Sequence, residues 1–180
     1  MAKLIMWNLM TLDGFVEGEN RDISWHSDVW GEELARLSID QLKSAGGLIF
    51  GRVTYDLMAN HWPSAEGDVA DFMNALPKYV FSRTLATPGW NNTQVFGTDV
   101  ADTVARLKRD SAKDLYLFGS ADLAASLIPH RLIDEFRIAV NPLLLGAGSP
   151  LFRTAGKLRL RLLDSRSLSN GIVILRYEPG

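Results

Sequence analysis

The chain has 180 residues, 19 Lys and Arg against 21 Asp and Glu, and a net charge of −2. That length suits one domain, residues 1–180, with a sizeable core, and the near-balanced charge provides no basic field for nucleic acid. Zero cysteine excludes disulfides, thiolate nucleophiles, zinc–thiolate sites and iron–sulfur clusters together. The apolar run at the N-terminus is too short for a signal peptide, and no run approaches a membrane span. A cytoplasmic protein with no membrane partner is expected.

Residues 3–9 read as a first strand, apolar on both faces and so central in its sheet. Asp13-Gly14 follows as a turn signal. Residues 17–30 are polar, carry Trp25 and Trp30, and have no clear period, so a long loop is expected. Residues 31–44 are helical, with Leu34, Leu37 and Leu42 on one face. Gly46-Gly47 then reads as a helix stop.

Next comes Leu48-Ile49-Phe50-Gly51-Arg52-Val53-Thr54-Tyr55. An apolar strand ends at Gly51, where the backbone can turn tightly or approach a ligand. A short helix over 52–60 offers unpaired N–H groups and the positive end of its dipole. Arg52 adds a fork-shaped cation and Thr54 a hydroxyl. Together these suit a phosphate; a plain strand-to-helix connection with a surface arginine is the other reading. His61-Trp62-Pro63 ends the helix, and 68–74 is a further helical turn.

Residues 78–83 form a third strand, ending in Ser82-Arg83, and 93–96 a short fourth. An arginine and a hydroxyl there suit a further phosphate, or else a solvated surface. Thr98 or Asp99 can cap a helix with Val100, Val104 and Leu107 on its buried face. Residues 115–118 form a fifth strand. Phe118-Gly119-Ser120-Ala121 repeats the strand–glycine–helix logic, and its small residues leave backbone N–H groups uncovered. Two such turns in one parallel sheet both face the carboxyl edge, where open α/β sheets bind ligands.

Three strands close the chain, at 133–140, 158–162 and 172–177, the second with one wet face. Gly146-Ala147-Gly148 is a loop, since Pro150 interrupts it and no helix follows. Strands alternating with helices imply α/β: a mixed, mainly parallel sheet with helices on both faces and an antiparallel C-terminal edge. His26, His61 and His130 lack paired ligand spacing, so no metal site is expected. Asp13, Glu32, Glu33 and Glu135 are the acids near the mouth, any of them able to supply a proton or hold a cationic ring. Trp25, Trp30 and Trp62 are positioned to wall an aromatic substrate or to pack peripherally.

The order of these motifs, with Thr11-Leu12-Asp13-Gly14, Leu132-Ile133-Asp134-Glu135-Phe136 and Asn141-Pro142-Leu143-Leu144-Leu145-Gly146-Ala147-Gly148, resembles the dihydrofolate-reductase-like superfamily. It is most similar to the reductase domain of the bacterial bifunctional deaminase-reductases of riboflavin biosynthesis and their stand-alone relatives, over nearly the whole chain. The resemblance implies an NADPH-dependent oxidoreductase on a mixed sheet of about eight strands, a homodimer, acting on a small heterocyclic substrate such as 5-amino-6-(5-phosphoribosylamino)uracil or dihydrofolate. Gly51, Arg52 and Thr54 would then sit at the cofactor's phosphates, and Ser82 and Arg83 near its 2′-phosphate. Phe118, Gly119, Ser120 and Ala121 would hold the pyrophosphate, with Ser120 presenting its N–H where relatives have a second glycine. Asp13 and Glu33 would be the catalytic acids, and Trp62 and Glu135 would meet substrate. The deaminase half has no counterpart, because no His-x-Glu and no Cys-x-x-Cys zinc site exists. A non-catalytic NADPH- or ligand-binding protein on the same fold is the alternative.

Overall fold

The computed structural model describes residues 1–153 and 156–180. The chain opens with β1 (Leu4–Thr11) and β2 (Phe15–Glu17), followed by α1 (Trp25–Val29) and α2 (Glu32–Ser44). Then come β3 (Ala45–Gly51), α3 (Arg52–His61), α4 (Asp68–Ala75), β4 (Lys78–Phe81) and β5 (Thr93–Phe96). The second half holds α5 (Val100–Asp110), β6 (Asp114–Phe118), α6 (Ala121–Leu127), β7 (Glu135–Asn141), β8 (Ser149–Pro150), β9 (Leu160–Ser167) and β10 (Val173–Pro179).

Eight strands form one sheet in the order β5-β4-β3-β6-β1-β7-β10-β9, and β2 pairs with β8 in a separate ribbon. The six strands from β5 to β7 run parallel, and β10 is antiparallel to both β7 and β9. The fold is therefore α/β and dihydrofolate-reductase-like, with an antiparallel C-terminal edge. Of the three closing strands, β7 still belongs to the parallel set. The helical crossover through α6 returns it alongside β1 in the same direction, as a β-helix-β connection requires.

Each strand face is covered by a different helix layer. Leu34, Leu42, Tyr55 and Met73, from α2, α3 and α4, pack with Ile5, Trp7, Leu48 and Phe50. Val104, Leu107, Leu123 and Leu127, from α5 and α6, pack with Leu4, Met6, Ile49 and Leu117 on the other face. The period-2 alternation of β1 and β3 feeds both layers at once, which is why these central strands read as apolar runs.

Several local expectations change. The double glycine does not stop α2: the helix ends at Ser44, and Gly46 and Gly47 lie inside β3. A Cβ on Gly46 would meet the Ser111 hydroxyl at 2.6 Å, and one on Gly47 would meet the Tyr79 ring at 2.7 Å. Close approach, not helix termination, requires them. Asp99 takes the N-cap position of α5, as expected, but its side chain makes no capping hydrogen bond; its carboxylate accepts from Thr98 Oγ1 at 2.9 Å instead. The polar stretch 17–30 contains α1 and a single 3-10 turn at Glu19–Arg21. The strand with one wet face is wet on both. All eight residues of β9 are exposed, because it is the outermost strand.

Lys78 is fully buried at the start of β4. Its Nζ donates to the Asn74 carbonyl at 2.7 Å and lies 4.3 Å from the centre of the Trp90 ring. Trp90 Nε1 in turn donates to Asn74 Oδ1, and Trp90 N–H to the Tyr55 hydroxyl. This network joins α3, α4, β4 and the turn before β5. Burial pushes the Lys78 ammonium down to about 8 from the ordinary lysine value of 10.5. Between those two values the unfolded chain holds a proton that the folded chain has released. Stability contributed by this group therefore rises as pH increases from about 8 toward 10.5. Denaturant midpoints of wild type and Lys78→Met across that range check this: the wild type should show the rise, and the variant should lose it.

Candidate functional site

The carboxyl ends of β3, β4, β5 and β6 open into one cleft of about 1910 Å3. Gly51 at the end of β3, Ser82 and Arg83 just past β4, and Phe118, Gly119, Ser120 and Ala121 at the end of β6 all line it. So do Arg52 and Thr54 in the first turn of α3, and Trp62 after its last. The far wall comes from Trp7, Asn8 and Leu9 of β1, the 3-10 turn at Glu19–Arg21, His26 and Trp30.

The two glycine turns are joined. Gly51 N–H donates to Ser120 Oγ at 2.9 Å, and Ser120 N–H donates to Thr54 Oγ1 at 3.0 Å. Ser120 Oγ donates onward to the Phe118 carbonyl at 3.0 Å. Gly119 and Ser120 are both left-handed, each with φ of 57°. A Cβ on Gly119 would meet Thr54 Cγ2 at 2.9 Å, so glycine is required there for space as well as backbone. Ser120 adopts a conformation that glycine favours, and its three hydrogen bonds hold it there. The N–H groups of Ser120 and Gly51 are thus committed within the protein. This corrects the expectation that Ser120 presents its N–H to a ligand. The first-turn N–H groups of α3 and α6 have no intrahelical partner, and they are the donors left at this edge.

Of the four arginines that line the cleft, Arg52 and Arg83 stand at the ends of β3 and β4. Arg52 Nε pairs with Asp56 Oδ2 at 2.7 Å, one turn along α3, and the side chain is about two-fifths exposed. Arg83 is exposed and makes no ion pair among the described residues. Ser82 Oγ accepts from the N–H groups of Thr84 and Leu85, so it shapes the turn that carries Arg83.

Three acids lie away from the cleft. Asp13 accepts from Thr11 Oγ1 at 2.6 Å and from the N–H groups of Gly146 and Leu145 at 2.8 and 3.1 Å. The Thr11 hydroxyl, then the Gly146 and Leu145 amides, hold its carboxyl below the usual range. Asp13 ties the turn after β1 to the loop before β8. Glu33 accepts from the hydroxyl and N–H of Ser169, which lower its carboxyl in the same way. Glu135 is buried at the start of β7, where both Arg137 and Arg176 donate to its Oε1. Burial raises its carboxyl, and the two guanidinium groups more than offset that. Position in chain order brought these acids near the mouth; the register of the strands turned them elsewhere.

Sequence reasoning missed Asn8 and His26. Asn8 is 5% exposed, lines the cleft, and its Oδ1 has no partner. Its signal was a lone amide inside an apolar strand. His26 Nε2 is also buried without a partner, and burial pushes the imidazole down, partly countered by its hydrogen bond to the Val16 backbone. Trp25 does not wall the cleft; it is buried edge-on to His26, with ring centres 4.3 Å apart.

The chain matches the RibD C-terminal domain family over residues 2–174. It is 31% identical to the uncharacterized protein YyaP of Bacillus subtilis (strain 168), covering 98% of this chain and 94% of that one. Among solved structures it is similar to a Shewanella sp. PV-4 protein assigned by name to riboflavin biosynthesis, with TM-score 0.81, 20% identity and 100% and 99% of the two chains covered. It also resembles a Thermotoga maritima diaminohydroxyphosphoribosylaminopyrimidine deaminase/5-amino-6-(5-phosphoribosylamino)uracil reductase, with TM-score 0.73, 11% identity, and 99% of this chain and 57% of that one covered. Dihydrofolate reductase from Enterococcus faecalis complexed with NADP(H) has TM-score 0.68, 10% identity, and 99% and 96% of the chains covered. A left-handed glycine turn after the strand next to β1, a second turn tied to it and a cleft along the carboxyl edge thus sit on the sheet of a member of the RibD C-terminal domain family.

Proposed function

We propose that this protein is an NADPH-dependent reductase of a small heterocyclic substrate related to an aminouracil or a pterin. The carrying observation is that Gly51–Thr54, Ser82–Arg83 and Phe118–Ala121 line a single cleft, although 28 or more residues separate each from the next. The residues fit an extended dinucleotide. Arg83 is a cation with no partner among the described residues, suited to a 2′-phosphate. The α3 N-terminus and Arg52 suit a phosphate beside it. Gly119, lacking a side chain, keeps the turn close to the cleft wall. NADPH, when bound, supplies the hydride.

The protein's own share is placement and exclusion of water. Trp30 and Trp62 supply aromatic walls, and Asn8 Oδ1 is an unsatisfied acceptor at the opposite side of the cleft from Arg83's strand. With Asp13, Glu33 and Glu135 all outside the cleft, the buried, unpaired Asn8 and His26 are our candidates for polar recognition of substrate. Names and fold support the class of reaction: the Thermotoga relative is a uracil reductase, and the Enterococcus one holds NADP(H). No helix among the described residues is long and apolar enough to cross a membrane, in keeping with the cytoplasmic setting we propose. A homodimer is part of the same reading, supported by the bare outer strand β9 with exposed Leu160, Leu162 and Leu163.

Titrating NADPH and following its fluorescence tests the proposal. Saturable binding is expected, with Arg83→Ala weakening NADPH by roughly tenfold to a hundredfold, as loss of a charge-assisted contact implies, and leaving NADH nearly unchanged. Absence of binding at millimolar cofactor by folded protein overturns it. Tight binding without oxidation of NADPH on pterins, aminouracils or small carbonyls replaces the reductase with a binding protein. Sedimentation should give a dimer that Leu162→Lys weakens.

A further inference from the structure

A second cavity, of about 190 Å3, lies on the α2 face of the sheet, at the antiparallel side. Its polar lining is Gln41 of α2, Arg137 of β7, Arg176 of β10, and Asp164 and Arg166 of β9. None of these lines the large cleft. Strand register brings them together: Arg137 stands opposite Arg176, Arg176 opposite Asp164, and Ile174 opposite Arg166.

The guanidinium groups are only partly engaged. Arg137 and Arg176 each use Nε on the same oxygen of Glu135, at 2.6 and 2.8 Å. Arg137 Nη1 also donates to Gln41 Oε1 at 3.2 Å and to the Tyr116 hydroxyl at 3.1 Å. The outer nitrogens of Arg176 make no hydrogen bond among the described residues, and Arg166 makes no ion pair there. Three guanidinium groups gather here, and the carboxylates near them are Glu135, Asp164 and, from α2, Glu33, whose carboxyl Arg166 helps to lower.

Gln41 adds an independent observation. It is 3% exposed, and its Nε2 is buried with no partner among the described residues. The Arg137 donor fixes Oε1 as the acceptor side, so the orphan is the NH2 group. A buried amide donor without an acceptor carries an uncompensated desolvation cost. One water would satisfy that amide but would leave the free guanidinium forks unmatched.

We propose that this cavity binds a small singly charged oxyanion, the chemistry shared by monobasic phosphate and a carboxylate. The forks of Arg166 and Arg176 match two oxygens of such a group in plane, and Gln41 Nε2 supplies a neutral donor. Asp164 in the lining, with Glu33 beside Arg166, disfavours a highly charged ligand. The volume admits a phosphate-sized group and excludes a nucleotide. This site is independent of the cofactor reading, since it shares no residue with that cleft.

Calorimetric titration of inorganic phosphate and of acetate, at matched ionic strength, tests it in wild type, Arg166→Gln, Gln41→Leu and Arg83→Ala. Wild type should bind one of the two saturably. Arg166→Gln and Gln41→Leu should each weaken that binding at least tenfold while melting as wild type does in chloride, and Arg83→Ala should leave it unchanged. The tighter of phosphate and acetate identifies the source of the oxyanion. The Gln41 side-chain amide signal should also shift on titration in the wild type. No saturable binding of either anion overturns the proposal, as does equal binding by Arg166→Gln, or binding lost only in Arg83→Ala, which would assign the anion to the large cleft.

Discussion

The hydrogen bond from Gly51 N–H to Ser120 Oγ, with its return from Ser120 N–H to Thr54 Oγ1, holds the working edge of the sheet together. It links the end of β3 to the start of α6 across 69 residues of sequence. Because β3 and β6 are parallel neighbours, both turns emerge at the same edge and must bend away within one residue. Ser120 makes them one unit at the cost of a left-handed backbone and of its own N–H. The same bond leaves the helix ends and the two arginines, and not the glycine turn itself, as the groups free to meet an anion.

Around that edge the fold spends charge inside the protein in two places. Lys78 is buried among Asn74 and Trp90, and Glu135 beneath Arg137 and Arg176. A buried carboxylate on two guanidinium groups is weak evidence for net stability, yet removing one partner of such a pair typically costs about 3–5 kcal/mol. Glu135 joins β7 to β10, which lies antiparallel beside it. The antiparallel edge is thus attached to the parallel core by charge and packing as well as by backbone ladders. The same residue was an attractive substrate ligand in the sequence, and its burial between arginines is what removed it from that role.

Much was legible because it depends on local periodicity. The apolar runs of β1, β3 and β6, the leucine face of α2, the i, i+4, i+7 face of α5, and the strand–glycine–helix turns all appear where the pattern puts them. The expected phosphate residues, with Trp62, share one cleft for the same reason: strand ends in a parallel sheet face one edge. The acids were misplaced because a carboxylate carries no period. Asp13, Glu33 and Glu135 each met a partner distant in sequence, at Gly146, Ser169 and Arg176. Gly46-Gly47 misled because a helix stop and a tightly packed strand leave the same letters.

From its sequence alone, this protein reads as a mixed, mainly parallel α/β sheet with an antiparallel edge and with Gly51, Arg52, Ser82, Arg83 and Gly119 at or next to strand ends. Hydrophobic period and turn chemistry are short-range, and they suffice for that. Only the tertiary structure decided that Ser120 ties two turns, that Asn8 and His26 reach the cleft with unpaired atoms, and that three arginines gather beneath α2. Those outcomes rest on which strands become neighbours and in what register. A one-residue slip would send Asn8 or the three arginines, all on strands, to the opposite face, and no local pattern encodes that choice.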